Sequence, residues 1–322
     1  MKTQSLQGKT VVITGASSGV GKAAAEAFAK EGCNVVLASR GEEALDKAVQ
    51  MCKDLGATAL GIPTDVSDAE QVQSLAEQAK QFNGRIDVWV NNAGVMATGK
   101  IEDMPSVVID QIIKTNLLGY LHGAHAVIPI FKEQQDGVLI NNISIGGKMP
   151  APYGTAYSAS KFGIRGMVEG LRGEVSHYPN IHISALYPGI QRSTGNMHAA
   201  KYSGYNTKIP PISFDPKDLA QTMVSVAKNP RKAVYPDWSS KLLNTIYSIM
   251  PRTMVNTSAA AVRLNMRYGD QSETNGNVMV PSPRPHQIYG ETMLPVPSTN
   301  TKRALLAGAL LGIGAVLIRR RF

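Results

Sequence analysis

Tyr157 and Lys161 stand four residues apart in a stretch with helical character, so their side chains share a face. A free phenol has a pKa near ~10, too high for a good base at neutral pH. A nearby ammonium favours tyrosinate and lowers that value. Such a tyrosine can exchange a proton with a substrate oxygen while a nicotinamide exchanges a hydride with the carbon. Ser144, which follows the apolar run Val138–Ile143, can hold the same oxygen by a hydrogen bond. Alone, a Tyr-x-x-x-Lys spacing describes any solvated helix face. Its meaning depends on what lies upstream.

Residues 11–32 supply that context. Val11, Val12 and Ile13 read as a short buried strand, Gly15, Gly19 and Gly21 as a turn, and the Ala-rich run up to Lys30 as a helix. Glycines let a backbone approach a pyrophosphate, and a helix N-terminus offers unpaired N–H groups. The expected cradle is Thr14, Gly15, Ser17, Ser18, Gly19, Val20 and Gly21. Its G-x-x-x-G-x-G spacing differs from the commoner dinucleotide fingerprint, so glycines alone do not decide the matter. After the second strand, an acidic residue would bond the ribose 2′-hydroxyl of NAD. Ser39 and Arg40 stand there instead. A guanidinium can clamp a 2′-phosphate, and serine removes the repulsion an aspartate would cause, so NADP(H) is the expected cofactor.

The elements that must position these groups follow from apolar runs alternating with helical patterns. That order predicts an α/β fold, a doubly wound parallel sheet of about seven strands with helices on both faces. Strands are expected at Val35–Ala38, Thr58–Pro63, Val88–Val90, Val138–Ile143, Ile181–Leu186 and Ala233–Tyr235. Helices are expected at Glu42–Leu55, Asp68–Phe82, Val107–Gln134 in two pieces, and Ala156–Tyr178. Ligands bind beyond the carboxyl ends of such strands. Asp65-Val66, Asn91-Asn92-Ala93-Gly94 and Ser144 all fall there.

These motifs together resemble the short-chain dehydrogenase/reductase family over roughly residues 8–236. The family's Thr-Gly-x-x-x-Gly-x-Gly is Thr14–Gly21, and its Asn-Asn-Ala-Gly is Asn91–Gly94. Its Asn–Ser–Tyr–Lys tetrad falls on Asn116, Ser144, Tyr157 and Lys161. The resemblance implies a Rossmann-like fold, an adenine contact from Asp65, ribose contacts from Lys161, and a proton-relaying water held with Asn116. It also implies cofactor contacts from Val66, Asn92, Ala93, Gly94, Pro188 and Gly189. Downstream of Pro188-Gly189 the pattern loosens, with Gln191 and Ser193 where the family has an apolar residue and Thr. Ser193 or Thr194 could still reach the cofactor.

Substrate selection is carried by fewer signals. Val95, Met96, Met149 and Tyr153 follow motif residues, and Met149 and Tyr153 are expected substrate contacts beside Ser144 and Tyr157. Residues 190–213, with Met197, Tyr202, Tyr205 and Ile209, are expected to form a lid. The apolar content favours a hydrophobic carbonyl or alcohol, although the same residues could simply pack the lid onto the core. Gly163, Gly166, Gly170 and Gly173 form a stripe along the helix of Tyr157. Each costs ~1 kcal/mol relative to Ala, which close approach of another helix would offset. In the family this helix meets its copy in a second subunit, so a homodimer or homotetramer is expected.

The catalytic domain is placed at 1–236, an amphipathic helical extension at 237–268, a Pro-rich linker at 269–301, and an apolar tail at 302–322. Of the net charge of +9, residues 237–322 carry +6, so the basic excess belongs to the extension and no nucleic-acid partner is expected. Ala304–Ile318 has no polar side chain and is flanked by Lys302-Arg303 and Arg319-Arg320-Arg321. As a helix it would be ~22 Å long, short of a ~30 Å hydrocarbon core, with basic ends able to snorkel. A membrane-associated protein with its catalytic domain on the cytoplasmic side is expected, with a soluble cytoplasmic protein as the alternative. The two cysteines and six histidines show no ligand spacing, so no metal is expected. The expected activity is an NADP(H)-dependent carbonyl/alcohol oxidoreductase. A non-catalytic NADP-binding scaffold or sensor and an NADP-dependent epimerase or dehydratase are its rivals.

Overall fold

Runs of Val, Ile and Leu with almost no polar interruption form strands that are covered on both faces, as a parallel sheet between helical layers requires. The computed structural model of the chain describes residues 5–205, 209–210, 213–267 and 271–292. Its strands are β1 (Thr10–Thr14), β2 (Asn34–Ser39), β3 (Ala59–Pro63), β4 (Val88–Asn91), β5 (Ala97–Thr98), β6 (Gly137–Asn142), β7 (Ile181–Leu186), β8 (Ala200–Lys201) and β9 (Ala233–Val234). Seven of them form one parallel sheet in the order β3-β2-β1-β4-β6-β7-β9. The order reverses between β1 and β4, and a crevice opens at such a switch point beyond the strand ends.

The helices are α1 (Gly19–Lys30), α2 (Glu42–Asp54), α3 (Ala69–Asn83), α4 (Ser106–Ile113), α5 (Gly119–Gln134), α6 (Thr155–Glu174), α7 (Pro216–Lys228), α8 (Trp238–Ile249) and α9 (Pro251–Arg267). One core layer joins α1, α2 and α7 to the sheet, with Phe28, Leu45 and Met223 fully buried. The other joins α3, α5 and α6, around Leu75, Trp89 and Phe131. Local chemistry marks the ends. Asp68 caps α3 by accepting from the Glu70 and Gln71 amides, and Gly84 closes it with φ of 76°.

Three features differ from the sequence expectation or were absent from it. Helix α6 stops at Glu174, ahead of Tyr178. Helix α7 and the two-residue pair β5–β8 were not anticipated, since two-residue strands carry no periodicity. The expected break in 107–134 is a single π-helical turn, Lys114–Leu118, between α4 and α5.

The Pro-rich stretch departs most from its expectation as a linker. Residues 271–292 are irregular, but they fold back on the core as a strap. Bridges join Lys201 to Thr274, Ser193 to Tyr289 and Ile209 to Thr292. Prolines prevent regular structure without preventing packing. The apolar tail expected at 302–322 lies outside the described residues. Among the described residues, no helix is long and apolar enough to cross a membrane.

Candidate active site

The glycine turn links β1 to α1, and its geometry explains its residues. Gly15 has φ of +67°, and a Cβ there would sit 2.8 Å from Ala93 Cα; a Cβ on Gly21 would collide with the Gly15 carbonyl. The Thr14 hydroxyl accepts from the Asn92 (3.0 Å) and Ala93 (3.1 Å) amides, and Asn92 Nδ2 returns a bond to the Thr14 carbonyl (3.0 Å). Asn142 Nδ2 then donates to Asn92 Oδ1 (2.9 Å). The ends of β1, β4 and β6 are thereby fastened together. Asn91 is structural: fully buried, it accepts from Trp89 Nε1 and donates to Asn141 and the Tyr120 carbonyl. The amides of Val20 and Gly21 lie in the first turn of α1, where a helix has no internal acceptor for them.

At the end of β2, the Ser39 hydroxyl is buried in the cleft wall without a hydrogen-bond partner. Arg40 is half-buried. Its terminal nitrogens donate to the strap carbonyls of Asn277 (2.5 Å), Val278 (3.3 Å) and Met279 (3.4 Å). It is neither a solvated surface arginine nor a wholly free one. Burial lowers its pKa, against the nearby Asp65 carboxylate, which raises it. Asp65 Oδ1 accepts from the Ser67 amide (2.9 Å) and hydroxyl (2.7 Å), and Asp65 and Val66 both line the cleft.

At the other end, Ser144 follows β6 with φ of 104°, a conformation L residues rarely adopt. It is held by the end of β7: Ile143 and Ser144 donate to the Leu186 carbonyl, and Ile145 to that of Pro188. Its Oγ accepts from the Gly146 amide (3.1 Å), and it stands close enough to Tyr157 to lower the phenol's pKa. Lys161 is buried beneath them. Its ammonium lies 3.5 Å from the Asn142 carbonyl, 5.0 Å from the Tyr120 ring centroid and 5.5 Å from that of Tyr157.

Electrostatics corrects one expectation here. Burial raises the Tyr157 pKa, and the nearby Ser144 opposes it. Burial also pushes Lys161 down to about 7. Desolvation of both groups therefore outweighs the expected ammonium–phenolate attraction. Asn116 does not line the cleft. Fully buried in the π-turn, it accepts from the Val95 amide (2.8 Å) and donates to the Val95 carbonyl (2.9 Å) and Ser160 Oγ (3.1 Å). It positions α6 and the strand following Gly94.

One cleft of about 1060 Å³ contains Gly15, Ser17–Gly21, Ser39, Arg40, Asn92–Gly94, Ser144, Tyr157, Lys161, Pro188, Gly189 and Ser193. Thr14 lies just beneath it. Met149 is part of the wall with Met96, Ile145 and Pro150, whereas Tyr153 is not. Tyr153 has φ of 64°, and its carbonyl accepts from Gly99 N–H (2.8 Å); its neighbours Pro152 and Gly154 meet the cleft instead. Of the four lid side chains singled out, only Tyr205 lines the cleft, alongside Ile190, Gln191, Asn196 and Pro210 of the same segment. Tyr202 and Ile209 are buried, and Met197 Sδ accepts from the Glu291 amide (3.1 Å), so these three pack the lid.

The sequence reading missed two contributors. Leu243 of α8 and Val262 of α9 line the substrate side. Asn277, Pro281, Ser282 and His286 of the strap line the nucleotide side, with His198 beside them. Irregular Pro-rich sequence carries no periodic signal, which explains the omission. Asp237, the N-cap of α8, also donates nothing to any motif, yet it accepts from the Gly189 amide (2.7 Å) and ties the extension to the Pro-Gly loop. The glycine cradle, the unpartnered Ser39 hydroxyl and the first-turn amides of Val20 and Gly21 fit a dinucleotide.

Comparison with known proteins agrees. The short chain dehydrogenase family profile matches residues 9–203. A ketoacyl reductase, HetN, of Nostoc sp. strain PCC 7120 is 31% identical over 292 residues, covering 87% of this chain and 99% of that protein. A match of that length runs past the catalytic core into the extension. Among solved structures, a short chain dehydrogenase/reductase from Burkholderia phymatum in complex with NAD superposes with a TM-score of 0.68 and 26% identity, over 76% of this chain and 96% of that one. An alcohol dehydrogenase of Thermococcus sibiricus complexed with 5-hydroxy-NADP gives a TM-score of 0.62 and 26% identity, over 71% and 96%. With the sheet order, the glycine turn and the Ser144–Tyr157–Lys161 cluster in one cleft, these matches mean that the chain belongs to the short-chain dehydrogenase/reductase family.

Proposed function

We propose that the protein is an NADP(H)-dependent oxidoreductase that interconverts a carbonyl and an alcohol on a hydrophobic small molecule. The observation that carries the reaction type is the convergence of Ser144, Tyr157 and Lys161 on one cleft that also holds a dinucleotide cradle. Bound there, a nicotinamide would supply or accept the hydride. Ser144 orients the substrate oxygen, and Tyr157, beside it in the same cleft, gives that oxygen a proton or takes one. Lys161 would bond the ribose hydroxyls of such a cofactor through its ammonium. The preference for a 2′-phosphate rests on the unpartnered Ser39 hydroxyl and on the Arg40 guanidinium, which lines the same cleft next to it.

Met96, Ile145, Met149, Leu243 and Val262 support an apolar substrate. The Nostoc relative is named a ketoacyl reductase, which makes ketoacyl compounds the first class to try. Purified protein should oxidise NADPH with some members of a panel of lipophilic ketones, aldehydes, quinones and ketoacyl thioesters. Tyr157→Phe should reduce that turnover by ~10²–10⁴-fold, the contribution of a positioned proton donor, while NADPH affinity stays within a few fold. Retained turnover in that variant would remove Tyr157 as the acid, and binding without turnover on any substrate would favour a scaffold.

Two assembly proposals accompany this reading. Gly166, Gly170 and Gly173 face open space on α6, beside exposed Leu118, Leu121 and Phe162. Gly163 does not share that freedom, because it packs on Leu117 of its own chain. This face supports a homodimer or homotetramer. The apolar run 304–318 supports attachment to a lipid bilayer.

A further inference from the structure

The strap crosses the nucleotide side of the cleft and is latched at both ends. At one end Arg40 donates to the carbonyls of Asn277, Val278 and Met279. At the other, the Gln287 carbonyl accepts from Gly19 N–H (2.8 Å) and from the Thr194 hydroxyl (3.0 Å), and Lys22 Nζ reaches the His286 carbonyl (3.3 Å). The donors come from the nucleotide-binding elements or beside them, and the acceptors are backbone carbonyls of the strap. Even so, the strap does not fill the site. About 1060 Å³ remains, at the top of the ~300–1,000 Å³ usual for small-molecule pockets.

Between the latches, two strap atoms in the cleft wall are buried without partners, Asn277 Oδ1 and His286 Nδ1. His286 Nε2 lies 3.0 Å from the Ser282 carbonyl, an acceptor, so Nε2 carries the proton and Nδ1 is itself an acceptor. Both orphaned atoms therefore seek donors. An adenosine offers donors in its amino group and ribose hydroxyls, whereas phosphates offer only acceptors and suit Arg40 and the first-turn amides of Val20 and Gly21.

We propose that residues 277–287 form a wall of the cofactor site, that Asn277 and His286 accept hydrogen bonds from the adenosine moiety, and that the latches must open for a dinucleotide to enter or leave. This rests on the dinucleotide reading above. It adds residues from a segment far outside the glycine-turn and Tyr-x-x-x-Lys motifs.

A staple tests the opening directly. A Cβ on Gly41 would lie 3.7 Å from Pro281 Cβ, within the ~3.5–4.5 Å of disulfides. Gly41→Cys with Pro281→Cys in the full chain should bind and release NADPH at least tenfold more slowly when oxidised than when reduced. Equal rates in a confirmed disulfide would overturn the proposal. Hydrogen exchange on the unmodified chain is independent of the staple: NADPH should slow exchange at 277–287, and unchanged or faster exchange would overturn it. Asn277→Ala and His286→Ala should each weaken NADPH and NADH alike by roughly three- to tenfold, because the adenosine is common to both. Unaltered affinities would remove these two contacts. A parent protein that binds neither dinucleotide would instead sink the cofactor reading itself.

Discussion

Lys161 is the side chain whose burial has the widest consequences. Its pKa of about 7 lies far below the ordinary 10.5, so the folded protein loses this proton across a range where the unfolded chain keeps it. The unfolded state then binds more protons, and stability contributed by this group rises with pH between about 7 and 10.5. Lys161→Met should lack that rise, and denaturant melts of both proteins at pH 7 and 9 would reveal it; parallel changes would contradict the assignment. Catalysis should move the other way. With the ammonium holding the ribose, as proposed above, kcat/KM for NADPH should fall as pH rises through about 7. A profile flat from pH 6 to 9 would count against it. Cofactor choice also belongs to single residues. Ser39→Asp with Arg40→Ile should reverse the NADPH preference towards NADH, and equal affinity of the parent for both would show that Ser39 and Arg40 do not discriminate. Because Arg40 also latches the strap, exchange rates should be measured on the same variant.

At the level of elements, α8 matters more than its exposed surface suggests. Asp237 caps it by accepting from the Ser240 amide and, with its other oxygen, holds Gly189 in the Pro188-Gly189 loop. Asp237→Ala should cost about 0.5–2 kcal/mol as a lost cap and raise the KM for NADPH several fold. A thermal melt and a cofactor titration check both halves, and an unchanged KM would make the bond to Gly189 incidental. The same helix shows what sequence can and cannot convey. Strands β1, β2, β4, β6 and β7 were legible because parallel burial writes continuous Val/Ile runs. The glycine turn and Tyr-x-x-x-Lys were legible because backbone approach and helical spacing demand those residues there. The closure of the cleft was not. Carbonyl acceptors at 277–279 and 287 are available from any residue type, so the latches leave no mark on side-chain identity. Tyr153 failed for a related reason: proximity to a motif does not fix which way a residue with positive φ turns.

For the whole molecule, α6 carries both Tyr157 and an open glycine face. Phe162→Glu with Gly170→Leu should shift a dimer to monomer in light scattering, and a parent that is monomeric at micromolar concentration would refute the assembly. Deleting 302–322 should move the protein from the membrane to the soluble fraction with turnover retained; a full-length chain that washes freely from membranes in carbonate would end the bilayer proposal. The strap adds a constraint of a different kind, one of timing. Lys22 and His286 are 264 positions apart, so the two sides of this contact leave the ribosome far from together. At roughly 5–20 residues per second, the glycine turn waits on the order of 13–50 s for the segment that closes over it. If that segment governs exchange, a nascent chain can fold its sheet and sample dinucleotides from solution yet retain none until residues 277–287 have emerged. Chains arrested before residue 277 should then lose labelled NADPH faster than chains arrested well past residue 287, making cofactor capture wait on a segment translated long after the glycine turn it closes.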